Sequence, residues 1–90
     1  MEARLRTVDG QKQFIIRGSG TIGRSSDNTC QITGQSVSKR QARIEVDEHG
    51  NAVIYDLQSR NGTSVGDRKL QNASVPLKHG DTIKFGNDND

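Results

Sequence analysis

Ninety residues make one domain, and the four leucines, seven isoleucines, six valines and two phenylalanines, about a fifth of the chain, suffice for a single core and not for two. One cysteine excludes an internal disulfide or a cysteine-based zinc cluster, and no apolar run is long enough to cross a membrane. The net charge of +2 hides an asymmetry, +4 over residues 1–45 and −2 over residues 46–90, but neither half has the block of like charges that marks a nucleic-acid or membrane tail.

In chain order the sequence reads as short alternating runs separated by turns. Ala3–Val8 meets Asp9-Gly10, a dipeptide suited to a type I′ hairpin, and Gln13–Ile16 resumes the strand pattern. Gly18 and Gly20 precede Thr21–Arg24, and the polar stretch Ser25–Thr29 leads to Cys30-Gln31-Ile32. The strongest period of two is Ala42-Arg43-Ile44-Glu45-Val46, with Ala42, Ile44 and Val46 on one face. Asp47–Asn51 is a turn before the alternating Val53–Leu57. Thr63–Val65, Arg68–Leu70, Val75–Leu77 and Thr82–Phe85 complete the series. A helix over Gln35–His49 would set Val37 beside Arg40 and Gln41, so its apolar stripe fails at the first turn. About ten short strands at this spacing predict an all-β sandwich or barrel.

Three polar loops carry the chemistry. They are Gly23-Arg24-Ser25-Ser26, Ser36–Gln41 and Ser59-Arg60-Asn61-Gly62-Thr63. Between them they offer Arg24, Ser38, Lys39, Arg40, Arg60 and Asn61. A guanidinium fork, an ammonium, a hydroxyl and a side-chain amide suit a doubly charged, oxygen-rich ligand.

Gly23-Arg24, Ser38-Lys39-Arg40-Gln41, the run Asp56–Thr63 and the run Leu77–Gly86, in this order and spacing, resemble the forkhead-associated (FHA) domain family over about residues 3–86. The resemblance implies an antiparallel β-sandwich of about ten to eleven strands that recognises a phosphothreonine peptide on a partner protein through loops at one end. It implies that Arg24 pairs with the phosphate, that Ser38 donates its hydroxyl to a phosphate oxygen, and that Lys39 adds a second phosphate contact. It places Asn61 on the peptide backbone and Arg60 where many members have a small hydroxyl residue that touches the ligand. Ser36 is the candidate for reading the third residue after the phosphothreonine.

The chain departs from the family pattern at three places. Gln41 stands where a histidine usually braces the loop from inside, and an amide offers a donor and an acceptor with similar reach. Gly66-Asp67 follows Val65 where the family often has asparagine, bringing an acid toward an anion site. The family's final strand has no counterpart in residues 87–90, so residues 1–86 are expected to form the domain; either residues 87–90 are a polar tail inside a longer protein, or the sheet edge beside residues 3–8 is left open to self-association.

Other side chains read as structural. Arg4, Arg6 and Arg17 form a solvated face, Cys30 is a small buried hydrophobe, and His49 and His79 are turn residues without metal-ligand spacing. No Gly-x-Ser-x-Gly elbow, dinucleotide fingerprint or phosphate loop is present, which argues against an enzyme and against a cofactor. Three aromatics leave no stacking platform for nucleic acid. The expected setting is reducing and intracellular, without a secretory leader or membrane contact. The rival reading is a degenerate FHA-like scaffold that works in phosphate-independent interaction or dimerisation.

Overall fold

The computed structural model describes residues 2–6 and 13–86, and the side chains of Glu2 and Arg6 are left aside. The Asp9-Gly10 turn and the polar tail of residues 87–90 lie outside the described residues. In chain order the described strands are β1 (Glu2–Arg6), β2 (Gln13–Arg17), β3 (Ser19–Gly23), β4 (Cys30–Gln31), β5 (Ala42–Val46), β6 (Ala52–Asp56), β7 (Thr63–Val65), β8 (Arg68–Leu70), β9 (Ser74–Leu77) and β10 (Ile83–Phe85). The described residues contain no helix, and Gln35–Gln41 is irregular chain, as the failed apolar stripe requires.

Period-two alternation builds the largest sheet, ordered β4-β3-β5-β6-β9. In β5 the side chains of Ala42, Ile44 and Val46 are buried while Arg43 and Glu45 take the opposite face. There Arg43 pairs with Glu45 at 2.8 Å and lies 5.3 Å from the centre of the Tyr55 ring, which covers part of the outer surface of the sheet. The antiparallel β5–β6 register sets Ile44 opposite Ile54, both fully buried. Pro76 sits in the edge strand β9, where a missing ladder donor is tolerated.

The facing layer consists of the three-stranded sheet β10-β7-β8 and the antiparallel pair β1-β2. Ile16 from β2 and Leu70 from β8 meet Ile22, Cys30, Ile44 and Ile54 in one core cluster, with Leu5, Phe14, Val65, Ile83 and Phe85 packed around it. Each fully buried isoleucine contributes about 1.5–3 kcal/mol relative to an exposed one. The fold is the expected β-sandwich, with one pairing among the described residues that is not antiparallel. β4 runs parallel to β3, with Cys30 beside Ile22 and Gln31 beside Gly23. The cause is local. The Thr21 N–H donates to Thr29 Oγ1 at 3.0 Å and the Thr29 N–H to Thr21 Oγ1 at 3.3 Å, folding the intervening loop back along β3.

The register also decides where the loops go. Ile22 at the end of β3 pairs with Ala42 at the start of β5, which pairs with Asp56 at the end of β6. The loops that leave β3, enter β5 and leave β6 therefore emerge at the same end of the sandwich.

Candidate functional site

Glycine makes the first contact between these loops. A Cβ at Gly23 would lie 2.1 Å from the Lys39 carbonyl oxygen, so only a residue without a side chain lets the two backbones touch. Beyond it the Arg24 N–H donates to the Ser38 carbonyl at 2.9 Å and the Ser25 N–H to the Lys39 carbonyl at 3.4 Å. The buried Asn28 secures the same seam, its Nδ2 donating to the carbonyls of Ser25 (2.8 Å) and Lys39 (2.7 Å). Arg24 and Lys39 thus stand on one stitched wall.

Gln41 braces that wall from inside. Its side chain is fully buried, and its Oε1 accepts the Ser38 N–H at 2.9 Å. Its Nε2 donates to the Gly62 carbonyl at 2.6 Å and to Thr63 Oγ1 at 2.9 Å. One amide thereby ties the loop before β5 to the loop before β7 and has its own buried polar atoms satisfied by doing so.

The opposite wall hangs on Asp56, which is 3% exposed. Its carboxylate accepts from Ser59 Oγ (2.5 Å), Ser59 N (3.2 Å), Thr63 Oγ1 (2.8 Å) and Asn72 N (2.8 Å). Ser59 Oγ in turn accepts the Gly62 N–H at 3.0 Å, and Gly62 takes a φ of 84°, in the left-handed region that suits glycine. Besides the Gln41 bonds, two more join the walls. The Arg60 N–H donates to Ser38 Oγ and Asn61 Nδ2 donates to the Ser36 carbonyl, each at 2.9 Å.

The result is an open cleft of about 300 Å³ lined by all six residues singled out from the sequence, Arg24, Ser36, Ser38, Lys39, Arg60 and Asn61. Gln35 and Val37 complete its lining. It contains three cations and no carboxylate. Arg24 spends one nitrogen internally, Nε donating to the Val37 carbonyl at 3.0 Å, and its two terminal amino groups have no partner among the described residues. The Lys39 ammonium and the Arg60 guanidinium form no ion pair there either. Ser38 Oγ accepts from Arg60 and keeps its own proton to donate, and Asn61 Oδ1 is without a donor among the described residues.

Arg40, offered by the same sequence segment, goes elsewhere. It pairs with Asp27 at 2.8 Å and does not line the cleft. The Ser25 hydroxyl, followed by the Arg40 guanidinium, holds the Asp27 carboxyl below its usual pKa. Asp67 sits in the turn between β7 and β8, away from the cleft lining, so it brings no acid to the cationic wall. Cys30 is buried in the core, and burial pushes its thiol pKa up, away from a reactive thiolate. His49 and His79 lie in turns, and no cluster of metal-ligating side chains occurs among the described residues. A larger hollow of about 410 Å³ has an apolar floor of Leu5, Ile44, Ala52, Leu77 and Ile83 and a rim of mixed sign, Arg4, Lys78 and Asp81. It lacks the convergent donors of the smaller cleft.

Sequence reasoning missed the supports, Asn28, Asp56 and Ser59. Asp56 left a signal: it occupies an inward position of an alternating strand, two residues after Ile54, where an acid persists only with donors around it.

The chain belongs to the FHA domain family, whose model matches residues 20–86. FHA domains are protein-interaction modules. The chain is 34% identical over 84 residues to the transcriptional regulatory protein EmbR of Mycobacterium tuberculosis, covering 92% of this chain and 21% of EmbR. It thus spans about a fifth of that relative. EmbR has been solved in complex with a low-affinity phosphopeptide, and superposes with a TM-score of 0.83 at 30% identity over 93% of this chain and 22% of that one. An FHA domain from a study of phosphothreonine-dependent FHA domain interactions superposes with a TM-score of 0.85 at 33% identity, covering 96% of this chain and 88% of that one. The FHA domain of FhaA, from the same organism's protein set and solved with the intracellular domain of Rv3910, gives 0.83 at 34% identity over 92% of this chain and 90% of that one.

Proposed function

We propose that this chain is a phosphothreonine-dependent interaction module that binds a phosphorylated peptide on a partner protein and performs no catalytic step. The observation that carries the reading is the cleft itself: three cations, a hydroxyl and an amide on one open surface, with no carboxylate in the lining to neutralise them. A phosphate at neutral pH brings about −1.5 to −2 charges and three strong acceptor oxygens. Arg24 meets it with its two free amino groups, Ser38 with its hydroxyl proton and Lys39 with its ammonium. Asn61 reads the peptide backbone through Oδ1 and its remaining N–H, and Ser36 faces the third residue after the phosphothreonine. The phosphopeptide bound to EmbR and the phosphothreonine dependence studied in a related FHA domain support the same ligand class. An unmodified threonine offers no anion to repay desolvation of the donors, so discrimination follows from charge.

The rival, a phosphate-independent scaffold, would fit a collapsed or masked cleft. Gln41 makes all three bracing bonds and the cleft is open, which favours the phosphate reading. The module works inside the cell, where kinases act, without nucleic-acid or membrane partners; no helix among the described residues is long and apolar enough to cross a membrane. β1 pairs only with β2 among the described residues, and this leaves an edge through which two copies can associate. Sedimentation over a range of protein concentration tests that association.

Titration against a degenerate phosphothreonine peptide pool, with the unphosphorylated pool as control, tests the main reading. Selective binding that weakens as salt is raised is the expected result. Equal binding of both pools would instead establish the phosphate-independent scaffold.

A further inference from the structure

The charge on the cleft exceeds what a single phosphate requires. A phosphothreonine carries about −1.5 to −2 charges at neutral pH, which two cations balance. Arg24 and Lys39 are the pair placed to do this: they stand on one wall, sewn together by the Arg24–Ser38 and Ser25–Lys39 backbone bonds and by Asn28, next to the Ser38 hydroxyl. Arg60 is a third cation on the other wall. Its backbone is fixed, since its N–H donates to Ser38 Oγ, but its side chain is exposed and joins no carboxylate among the described residues. The acid within its own loop, Asp56, is buried and taken up by Ser59, Thr63 and Asn72. Asp27, on the loop after β3, is committed to Arg40. Arg60 also lines the same cleft as Asn61, the residue assigned to the peptide backbone, which makes its guanidinium available to residues flanking the phosphothreonine.

We propose that Arg60 makes this cleft select phosphothreonine peptides with a second acidic group, a carboxylate or a further phosphate, flanking the phosphothreonine. The inference rests on the phosphothreonine reading above and adds to it the chemistry of the preferred peptide. A guanidinium fork suits both sources of charge, because each presents paired oxygens.

The test uses this chain and a phosphothreonine peptide with alanine at the flanking positions, into which aspartate, and separately phosphoserine, is introduced one position at a time. Affinities are measured by calorimetry for the wild type, Arg60→Ala and Arg60→Glu. Tighter binding of at least one acidic peptide is expected, by about fivefold for aspartate, the upper range for an exposed ion pair, and more for phosphoserine. Arg60→Ala should abolish that gain, so that acidic and alanine-flanked phosphopeptides bind the variant alike, while Arg60→Glu should bind the acidic peptides more weakly than the alanine-flanked one. A wild type indifferent to flanking acids overturns the inference, as does a preference that survives Arg60→Ala. An Arg60→Ala variant that loses the same factor for every phosphopeptide also overturns it, by making Arg60 one more ligand of the phosphothreonine. In these three cases the phosphothreonine reading stands. Failure of the wild type to bind any phosphopeptide removes both.

Discussion

One nitrogen of Arg24 is engaged in the free protein. The Nε bond to the Val37 carbonyl orients the guanidinium and leaves both terminal amino groups for a ligand, so little side-chain entropy remains to be lost on binding. Arg24→Ala is therefore expected to cost about 2–5 kcal/mol of phosphopeptide affinity by calorimetry, the range for removing one partner of a desolvated charge pair. Arg24→Lys should recover only part, since a point charge replaces a planar fork. Gln41 poses the complementary question, of support and not contact. Its Oε1 must accept the Ser38 N–H, and its Nε2 must donate to Gly62 and Thr63. A neutral imidazole in its place offers the acceptor and one donor, whereas an imidazolium offers no acceptor. For Gln41→His, the folded state should thus hold the imidazole neutral, with its pKa below the unfolded value of about 6.5. Stability of that variant is full above about pH 6.5 and declines as pH falls below it, until the depressed folded pKa is passed. Chemical denaturation across this window should show the decline in Gln41→His and no contribution from this position in the wild type, whose amide does not titrate.

At the scale of elements, turns fix the sheet and loops fix the cleft by the same device, a side-chain oxygen that collects backbone N–H groups. In the turn between β5 and β6, the Asp47 carboxylate accepts from the N–H groups of Asn51 (2.8 Å) and His49 (2.9 Å) and from Asn51 Nδ2 (3.2 Å). The Asn51 backbone donor is the main cause holding its pKa below the usual carboxylate value of 3.8. A carboxylate whose pKa is lowered by folding stabilises the native state above its unfolded pKa, and that stabilisation disappears as pH falls through the lower folded value. Denaturation measured from pH 5 downward should therefore show an acid limb that is shallower in Asp47→Asn. In the loop after β6, Asp56 organises Ser59, Thr63 and Asn72, and through Ser59 the Gly62 N–H. The cleft wall that bears Arg60 and Asn61 thus hangs from an acid that never reaches the cleft.

For the whole molecule, the sandwich holds three loops at one end while its core lies between the layers. Ile54 is fully buried opposite Ile44 and takes no part in the network beneath the cleft. Ile54→Ala should lower unfolding free energy by about 2–5 kcal/mol, measured by denaturant, yet leave phosphopeptide affinity unchanged at temperatures where the variant is folded. The contrast with Arg24→Ala, which should change affinity and spare stability, separates scaffold from site.

Alternation and turn chemistry were enough to read an all-β sandwich or barrel from the sequence, because a strand with one buried face writes its period directly into residue order, as Ala42-Arg43-Ile44-Glu45-Val46 does. The family resemblance chose the sandwich. The loop residues were legible for another reason: Gly23-Arg24, Ser38-Lys39 and Asn61-Gly62 belong to a family pattern whose order survives in this chain. The parallel pairing of β4 was not legible, since it depends on Thr21 and Thr29 exchanging bonds across a folded-back loop. Nor could residue order separate Arg40 from Lys39. Adjacent cations point different ways, and only the position of Asp27 in space decides that one is neutralised while the other faces the cleft. The sequence by itself determined which chemical groups this protein possesses and the period of the scaffold that carries them. The tertiary structure decided which of those groups are left unpaired beside one another, because pairing depends on distance between loops far apart in the chain.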